Sequence, residues 1–448
     1  MNPKILRNFI YPFYRFLKKD DLLQKIREFE HNQWLSFDEL KELQWHKLRR
    51  LIKYSYENVE YYRKLMDREG ILPEDIKDYK DFQKFPILTK KKIRENLSSL
   101  ISGAVRKKDL KKNSTGGSTG ENLIFFNDIV SLICRRANTI RKNRWCGVDI
   151  GDKEAFLWGA PFDIKESEKI LSRIRNFFMN KIYLSSYNLS EESMKQYAKI
   201  LTKFKPKLIT AYPTPLTHFA EFLLENKINT IKPSAIITSA ETLFDYQRDI
   251  IERAFNCSIF NRYGCREFGN IAQECEKHNG LHLCIDRVFL EIIKNGKPVQ
   301  PGELGEIIIT DLDNYGMPFI RYRIEDIGIL SNRQCQCGRG LPLLEKIEGR
   351  VFDLIKTYSG KVLGGTFWTL LSRKVNGIKQ FQVIQDKIDR IIFKIVPGKE
   401  FKENSISYLK KEIEKHCGKD FKVDFQIVDR IPLTRSGKHR FIISKLQK

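Results

Sequence analysis

Five short stretches of this chain carry residue types that could do chemistry together. The first, Asn113-Ser114-Thr115-Gly116-Gly117-Ser118-Thr119-Gly120-Glu121, holds three glycines and four hydroxyl residues and runs into Leu123, Ile124, Phe125 and Phe126. Glycines permit positive φ and close approach of the backbone, so successive N–H groups can converge on an anion while hydroxyls add donors. In outline that is a polyphosphate cradle. It is not a Walker A loop, because the Gly-Lys-Ser/Thr ending is missing, and taken alone it would read as a Ser/Gly-rich surface loop. The second stretch, Thr238-Ser239-Ala240-Glu241-Thr242, and the third, Tyr263-Gly264-Cys265-Arg266-Glu267-Phe268-Gly269, fall where strands are predicted to end. The fourth is Arg321-Tyr322-Arg323-Ile324-Glu325-Asp326-Ile327-Gly328 and the fifth Pro432-Leu433-Thr434-Arg435-Ser436-Gly437-Lys438-His439-Arg440. Singly, Glu267 reads as a surface carboxylate, Asp326 as a turn residue and Lys438 as one lysine among many. Their joint order is the informative feature.

In that order the stretches resemble the adenylate-forming superfamily of acyl-CoA synthetases, peptide-synthetase adenylation domains and luciferases. Within it they are most similar to phenylacetate–coenzyme A ligases and to relatives encoded with capsular polysaccharide genes, from about residue 30 onward. Ser114–Gly120 resembles the family's phosphate loop, Tyr263–Glu267 its Tyr-Gly-x-x-Glu and Tyr322–Asp326 its Tyr-Arg-x-x-Asp. Gly349-Arg350 resembles the opening of its hinge, and Pro432–Lys438 its C-terminal lysine loop. The resemblance implies roles. The backbone of Gly116, Gly117 and Gly120, with Ser114, Thr115, Ser118 and Thr119, would hold the β- and γ-phosphates of ATP. Glu267 would help coordinate Mg²⁺, a hard cation that prefers carboxylate, water and phosphate oxygens. Ser239, Ala240, Glu241, Tyr263 and Gly264 would border adenine and the α-phosphate. Asp326 would accept from the ribose hydroxyls, and Arg323 would lie near the phosphates. Lys438, the catalytic lysine, would neutralise charge that builds up as a carboxylate attacks the α-phosphorus. Acyl-AMP and pyrophosphate result, and a thiol or amine then displaces AMP after the small C-terminal domain turns about Arg350–Asp353. Three positions depart from the family pattern: Glu121 replaces a common lysine, Arg266 a Ser or Thr, and Phe352 the first of two hinge carboxylates.

A second kind of chemistry is suggested by Cys275-x₂-His278 and Cys335-Gln336-Cys337-Gly338. One sulfur–imidazole pair and one dithiol complete a tetrahedral Cys₃His zinc site of structural type, and similar clusters occur in the phenylacetate-ligase branch. His282 and Cys284 are spare candidates nearby. The rival reading is ordinary reduced cysteines. Cys134, Cys146, Cys257 and Cys417 lie in apolar or helical surroundings and read as core, while Cys265 adjoins the nucleotide motif without a partner that would make it a nucleophile.

The elements that must position these groups follow from periodicity. Residues 20–70 read as helices, a basic helix runs over 91–97, and a longer one over about 128–145. Strands at 154–158, 208–212, 235–238 and 257–263 alternate with helices at 215–226 and 243–255, which argues for a mostly parallel sheet with covering helices. Residues 281–310 read as a β-meander. From 349 a compact unit has strands near 353–357, 379–385, 390–396 and 421–428 and a helix at 404–416. The expected fold is α/β, with a large N-terminal domain over 1–349 and a small α+β domain over 350–448 that the resemblance makes mobile. The large domain includes a basic helical segment over 1–70 and a β-rich, candidate zinc segment over 270–345.

The 448 residues carry a net charge of +24, with 41% hydrophobic and 12% aromatic residues. No run of eighteen apolar residues occurs, which excludes a spanning helix. Met1–Lys19 mixes Arg7, Arg15, Lys18 and Lys19 with Phe9, Ile10, Tyr11, Phe13, Tyr14, Phe16 and Leu17, without the apolar core of a signal peptide. It reads as a helix docked on its own domain or resting on an anionic membrane surface. No nucleic-acid module accompanies the basic charge, so an anionic small substrate or acceptor is expected rather than DNA or RNA. Nine cysteines, an odd number with no export signal, point to a reducing cytoplasm.

The expected function is an ATP- and Mg²⁺-dependent ligase that activates an aryl, acyl or amino acid and passes it to coenzyme A. Amide formation on a sugar of a capsular or O-antigen precursor is the rival second step, and a non-catalytic nucleotide-binding assembly factor the rival overall. The acid pocket is expected among 157–163, 211–215 and 237–240, where Trp158, Phe162 and Tyr212 suit a ring or serve simply as packing.

Overall fold

A computed structural model describes residues 1–115, 122–158, 170–186, 189–350, 354–358, 360, 362–398, 400–402, 404–418, 420–432, 434 and 439–446. It divides into two compact units: Met1–Ile324 with Ile329–Lys346, and Glu325–Gly328 with Ile347–Lys448. The break in the chain thus falls at 346/347 rather than 349/350, and four residues of the fourth motif group with the smaller unit.

The first unit opens with short helical turns, Pro3–Ile5 and Leu6–Ile10, leading into α1 (Tyr11–Lys18), then α2 (Leu22–Asn32), α3 (Phe37–Asn58) and α4 (Glu60–Glu69). The start of α3 is set by a capping box, in which Ser36 Oγ accepts from Glu39 N–H and Glu39 Oε2 accepts from Ser36 N–H. Strands β1 (Leu110–Ser114) and β2 (Ile124–Asp128) form an antiparallel hairpin pair, and the glycine-rich stretch lies between them in sequence. Asp128 then caps α5 (Ile129–Trp145), accepting from Ser131 N–H at 2.7 Å.

The strand–helix alternation follows: β3 (Glu154–Trp158), α6 (Ile170–Phe178), β4 (Lys181–Ser185), α7 (Glu191–Phe204), β5 (Leu208–Ala211), α8 (Pro213–Glu225), β6 (Ala235–Ser239), α9 (Asp245–Phe255) and β7 (Ile259–Cys265). Adjacent strands in the order β4-β3-β5-β6-β7 are all parallel. β5 and β6 are buried along their whole length, as parallel strands covered on both faces must be. Ile209, Ile236, Leu216, Phe219 and Ile251 form the core between sheet and helices. At β7 the sheet changes character. It continues antiparallel through β8 (Gly269–Gln273) and β9 (Leu281–Leu283). The meander then adds β10 (Val288–Lys294), β11 (Lys297–Pro298), β12 (Leu304–Asp311), β13 (Tyr322–Leu330) and β14 (Leu343–Arg350), in the spatial order β9-β14-β13-β12-β10-β11.

The second unit has a two-stranded ribbon of β15 (Ile355–Lys356) and β16 (Val362–Leu363), then α10 (Gly365–Arg373), β17 (Ile378–Lys387), β18 (Arg390–Pro397), α11 (Asn404–Cys417), β19 (Lys422–Ile427) and β20 (Ile442–Ser444). Its sheet runs β19-β18-β17-β20. Trp368, Val383, Ile391, Phe393, Ile395 and Leu409 make a separate apolar core. α10 and β20 are additions to the expected pattern. The short apolar run of β20 sits beside the lysine motif and gives no period of its own to read.

Candidate functional site

The carboxyl ends of the parallel strands lie along one edge of the sheet. Leu157 is level with Ala211, Ala211 with Thr238, and Ser239 with Arg262. Trp158, Tyr212, Ser239–Glu241 and Tyr263–Glu267 therefore leave the sheet together, at the place where open α/β sheets bind ligands. Ala240 adopts φ +73°, turning the chain sharply after β6. Glu241 Oε2 accepts from Thr214 N–H at 3.1 Å, which ties this exit to the start of α8. The rings of Trp158 and Tyr212 meet at 4.4 Å, so two of the three aromatics expected around the acid pocket are in contact. Phe162 lies outside the described residues.

The turn after β7 is built tightly. The β7–β8 register slips between Tyr263 and Gly264, and a Cβ at Gly264 would stand 2.4 Å from Gly269 O. Gly269 itself has φ +71°. Arg135 of α5 holds the turn from behind, donating to Arg266 O at 3.0 Å and to Glu267 O, and pairing with Asp311 at 3.2 Å. The Glu267 side chain is buried and accepts from Tyr322 OH at 3.2 Å. Tyr322 packs on Phe319 with centroids 5.0 Å apart, and Phe319 on Phe125 of β2 at 6.0 Å. Three motifs distant in sequence (the neck of the glycine-rich hairpin, Glu267 and Tyr322) thus share one aromatic cluster.

That neck is closed by Thr115, whose backbone N–H donates to Leu123 O and whose Oγ1 accepts from Leu123 N–H, both at 3.0 Å. Thr115 and the exposed Ser114 are the described loop residues. Gly116, Gly117, Ser118, Thr119, Gly120 and Lys438 lie outside the described residues, as do the side chain of Arg350 and the hinge positions Phe352 and Asp353. Asp326 groups with the second unit. Arg323 is the residue expected near the phosphates. Strand residues alternate between faces, so Arg323 projects away from the face that sets Tyr322 beside Glu267, and it pairs with Glu306 at 3.1 Å.

Sequence reading missed Arg135 and Tyr322 as supports of this site. On α5, Arg135, Asn138, Arg141 and Lys142 make a polar stripe that looks solvent-facing, yet all are buried. Arg141 pairs with Asp286 at 2.7 Å, and Lys142 donates to Asn270 Oδ1 at 3.0 Å. The neighbouring stripe, Ile133, Cys134 and Ala137, packs on Tyr11, Leu22, Ile26 and Phe29. Burial of both stripes is invisible in the pattern, although so many polar residues in an otherwise strong helix next to a site motif is a usable signal.

The cysteine–histidine group is corrected in one member. Cys275, His282, Cys335 and Cys337 bring their ligand atoms within 4.8 Å of one another. His278 instead lies in a turn at φ +49°, with Nδ1 3.2 Å from Glu274 Oε2. The reason is strand pairing: His282 in β9 is level with Gln273 of β8 and Leu343 of β14, which sets it between Cys275 and the 335–337 turn. Cys275 Sγ is 3.6 Å from Cys335 Sγ, and Cys337 Sγ 3.3 Å from His282 Nε2. Tetrahedral bonds of about 2.0–2.3 Å imply ligand separations of roughly 3.5–3.8 Å, close to those seen. All nine cysteines are free thiols. His282 Nδ1 faces Leu341 O at 3.0 Å, so that nitrogen carries the proton and Nε2 presents its lone pair to the cluster. Burial pushes the imidazole down to about 4, which keeps it neutral. Burial raises the Cys337 thiol, but hydrogen bonds from the Arg339 backbone and guanidinium outweigh this and leave it below its ordinary value. The donor set fits Zn²⁺.

A sheet that switches from parallel to antiparallel, followed by a small α+β unit, is a fold shared with solved acid–CoA ligases. The solved 2-hydroxyisobutyryl-CoA ligase, in its postadenylation state in complex with R3-HIB-AMP, matches with a TM-score of 0.75 at 17% identity, over 93% of this chain and 91% of that one. More particularly, the chain is similar in sequence to protein CapK and to phenylacetate-coenzyme A ligases. It is 29% identical to protein CapK of Staphylococcus aureus over 422 residues, 92% of this chain and 90% of that one. It is 26% identical to phenylacetate-coenzyme A ligase of Escherichia coli (strain K12) over 332 residues, 71% of this chain and 73% of that one. Residues 354–445 match the CapK C-terminal domain.

Proposed function

We propose that this protein activates a carboxylic acid as its acyl-AMP, with release of pyrophosphate, and transfers the acyl group to coenzyme A. The observation that carries this reading is the meeting of Glu267, Tyr322 and the hairpin neck in one aromatic cluster at the carboxyl edge of the parallel sheet. In this reading the 114–120 loop holds the β- and γ-phosphates of ATP, and Glu267 would offer an oxygen to a Mg²⁺ that offsets their charge. Ser239–Glu241 and Tyr263 flank the nucleotide, and Asp326 takes the ribose. The acid carboxylate attacks the α-phosphorus in line, the α–β bridging bond breaks, and pyrophosphate leaves. Lys438 lowers the barrier by countering charge on the pentacoordinate phosphorus. The Trp158–Tyr212 pair suits a planar acid. Carboxylate-dependent exchange of labelled pyrophosphate into ATP, run over aryl, acyl and amino acids, tests the first step. Exchange with none of them, in protein that binds ATP, would favour the nucleotide-binding assembly factor.

The second step has a rival in amide formation on a sugar. Phenylacetate-coenzyme A ligase of Escherichia coli aligns over 71% of the chain and protein CapK over 92%, and the CapK C-terminal domain covers 354–445. In this reading the small domain presents the face that receives the acceptor, and its match to the CapK C-terminal domain supports a different nucleophile. Supplying acid and ATP with coenzyme A or an aminosugar, then finding the acylated product by mass spectrometry, decides between them. Thioester alone disposes of the sugar.

Cys275, His282, Cys335 and Cys337 would hold Zn²⁺ as a structural staple of the β-rich segment.

A further inference from the structure

The N-terminal segment is two-faced. Leu6, Tyr11 and Arg15 are buried against the domain. The spacing of five between Leu6 and Tyr11 is absorbed by a π-helical turn in which Tyr11 N–H reaches Leu6 O, and this keeps both on the inner side. Arg7 donates to Ile150 O at 3.0 Å and pairs with Asp152, and Arg15 pairs with Asp20, so the segment is anchored. Its other side is bare hydrocarbon: Phe9, Phe13 and Phe16 are 70%, 63% and 77% exposed, with Ile5 and Leu17 beside them. Asn8, Phe9, Ile10, Pro12, Phe13 and Phe16 line an open apolar hollow.

A second helix repeats the pattern next door. In α6, Ile170 and Phe177 are 75% and 73% exposed, and Ile174 and Phe178 are half exposed. The two helices are joined at their ends, because Asn180 Oδ1 accepts from the Met1 amino group at 3.0 Å and its Nδ2 donates to Met1 O at 2.9 Å. Exposed Lys4, Lys18, Lys19, Arg173 and Arg175 accompany the apolar residues, while neither Met1–Lys19 nor Ile170–Phe178 contains an aspartate or glutamate.

We propose that this face docks on an anionic lipid bilayer, with the three phenylalanines of the N-terminal segment in the acyl boundary and the basic residues at the headgroups. Several large apolar side chains grouped on a surface mark an interaction site, and an apolar stripe with a purely basic margin is the composition of a helix lying in a membrane interface. Sixteen residues, Pro3–Lys18, reach about 24 Å, enough to lie along that boundary. Among the described residues no helix is long and apolar enough to cross it. The same basic margin argues against a second copy, since a two-fold contact would set it against itself. The proposal is independent of the ligase reading.

The test is co-sedimentation of the full chain with vesicles of phosphatidylglycerol and phosphatidylcholine in equal parts. Binding should be strong at low salt, weaker at high salt and slight on phosphatidylcholine alone. The triple variant Phe9→Gln, Phe13→Gln, Phe16→Gln should bind at least about tenfold less with unchanged circular dichroism and melting temperature, and Lys18→Glu with Lys19→Glu should remove most of the salt dependence. Wild-type protein that stays in solution with anionic vesicles at low salt overturns the proposal, as does a triple variant that sediments equally. A concentration-dependent dimer that the triple variant abolishes, without vesicle binding, assigns the face to a second copy and overturns it too.

Discussion

Glu267 is the side chain at which the proposed chemistry is most exposed to test. Glu267→Gln keeps its shape and the Tyr322 contact but removes the charge. Pyrophosphate exchange should fall by roughly a hundredfold or more, with little change in melting temperature. Tyr322→Phe removes a hydrogen bond worth about 1 kcal/mol, so exchange should drop by about tenfold or less, partly recovered at high Mg²⁺. His282 and His278 give a sharper contrast, read by metal analysis of purified protein. His282→Ala should lose bound zinc, whereas His278→Ala should keep it. In metal-free protein His282 also sets a pH dependence. Its imidazole sits at about 4 in the fold because it is buried, and at about 6.5 unfolded. Between those values the unfolded chain binds a proton that the folded chain does not, so stability falls as pH drops through that window and is flat above it. Urea unfolding should show a loss of about 2 kcal/mol from this group between about pH 7 and about pH 5.

At the scale of elements, the turn after β7 and helix α5 act as one piece. Gly264→Ala drives a Cβ against Gly269 O. It should cost about 1–3 kcal/mol, the usual range for overpacking, and depress exchange beyond its effect on folding, because the shift moves Glu267. The positions of β3, β5, β6, β7, α5 and α9 were legible because apolar runs bounded by polar loops leave a period. The polar stripe of α5 was not, since a buried helix hides its charges among partners more than a hundred residues later. Arg141 and Asp286 are one such pair.

For the molecule as a whole, the two units have separate apolar cores. Removing residues 347–448 deletes Lys438 while leaving the parallel sheet, the hairpin and all four members of the cysteine–histidine cluster. That truncated chain should retain zinc and lose exchange altogether, as measured by metal content and isotope incorporation.

The types and order of the reactive residues, the α/β alternation and the presence of a dithiol turn were determined by the linear chain, because each is a local property of neighbouring side chains. Which histidine joins Cys275, that Arg323 turns towards Glu306, and that Phe125, Phe319 and Tyr322 weld distant motifs together were decided only in three dimensions. Strand register and the alternation of faces set those contacts, and neither is fixed until strands far apart in sequence pair. His278 is nearer Cys275 in number, but it is His282 whose imidazole joins the thiols.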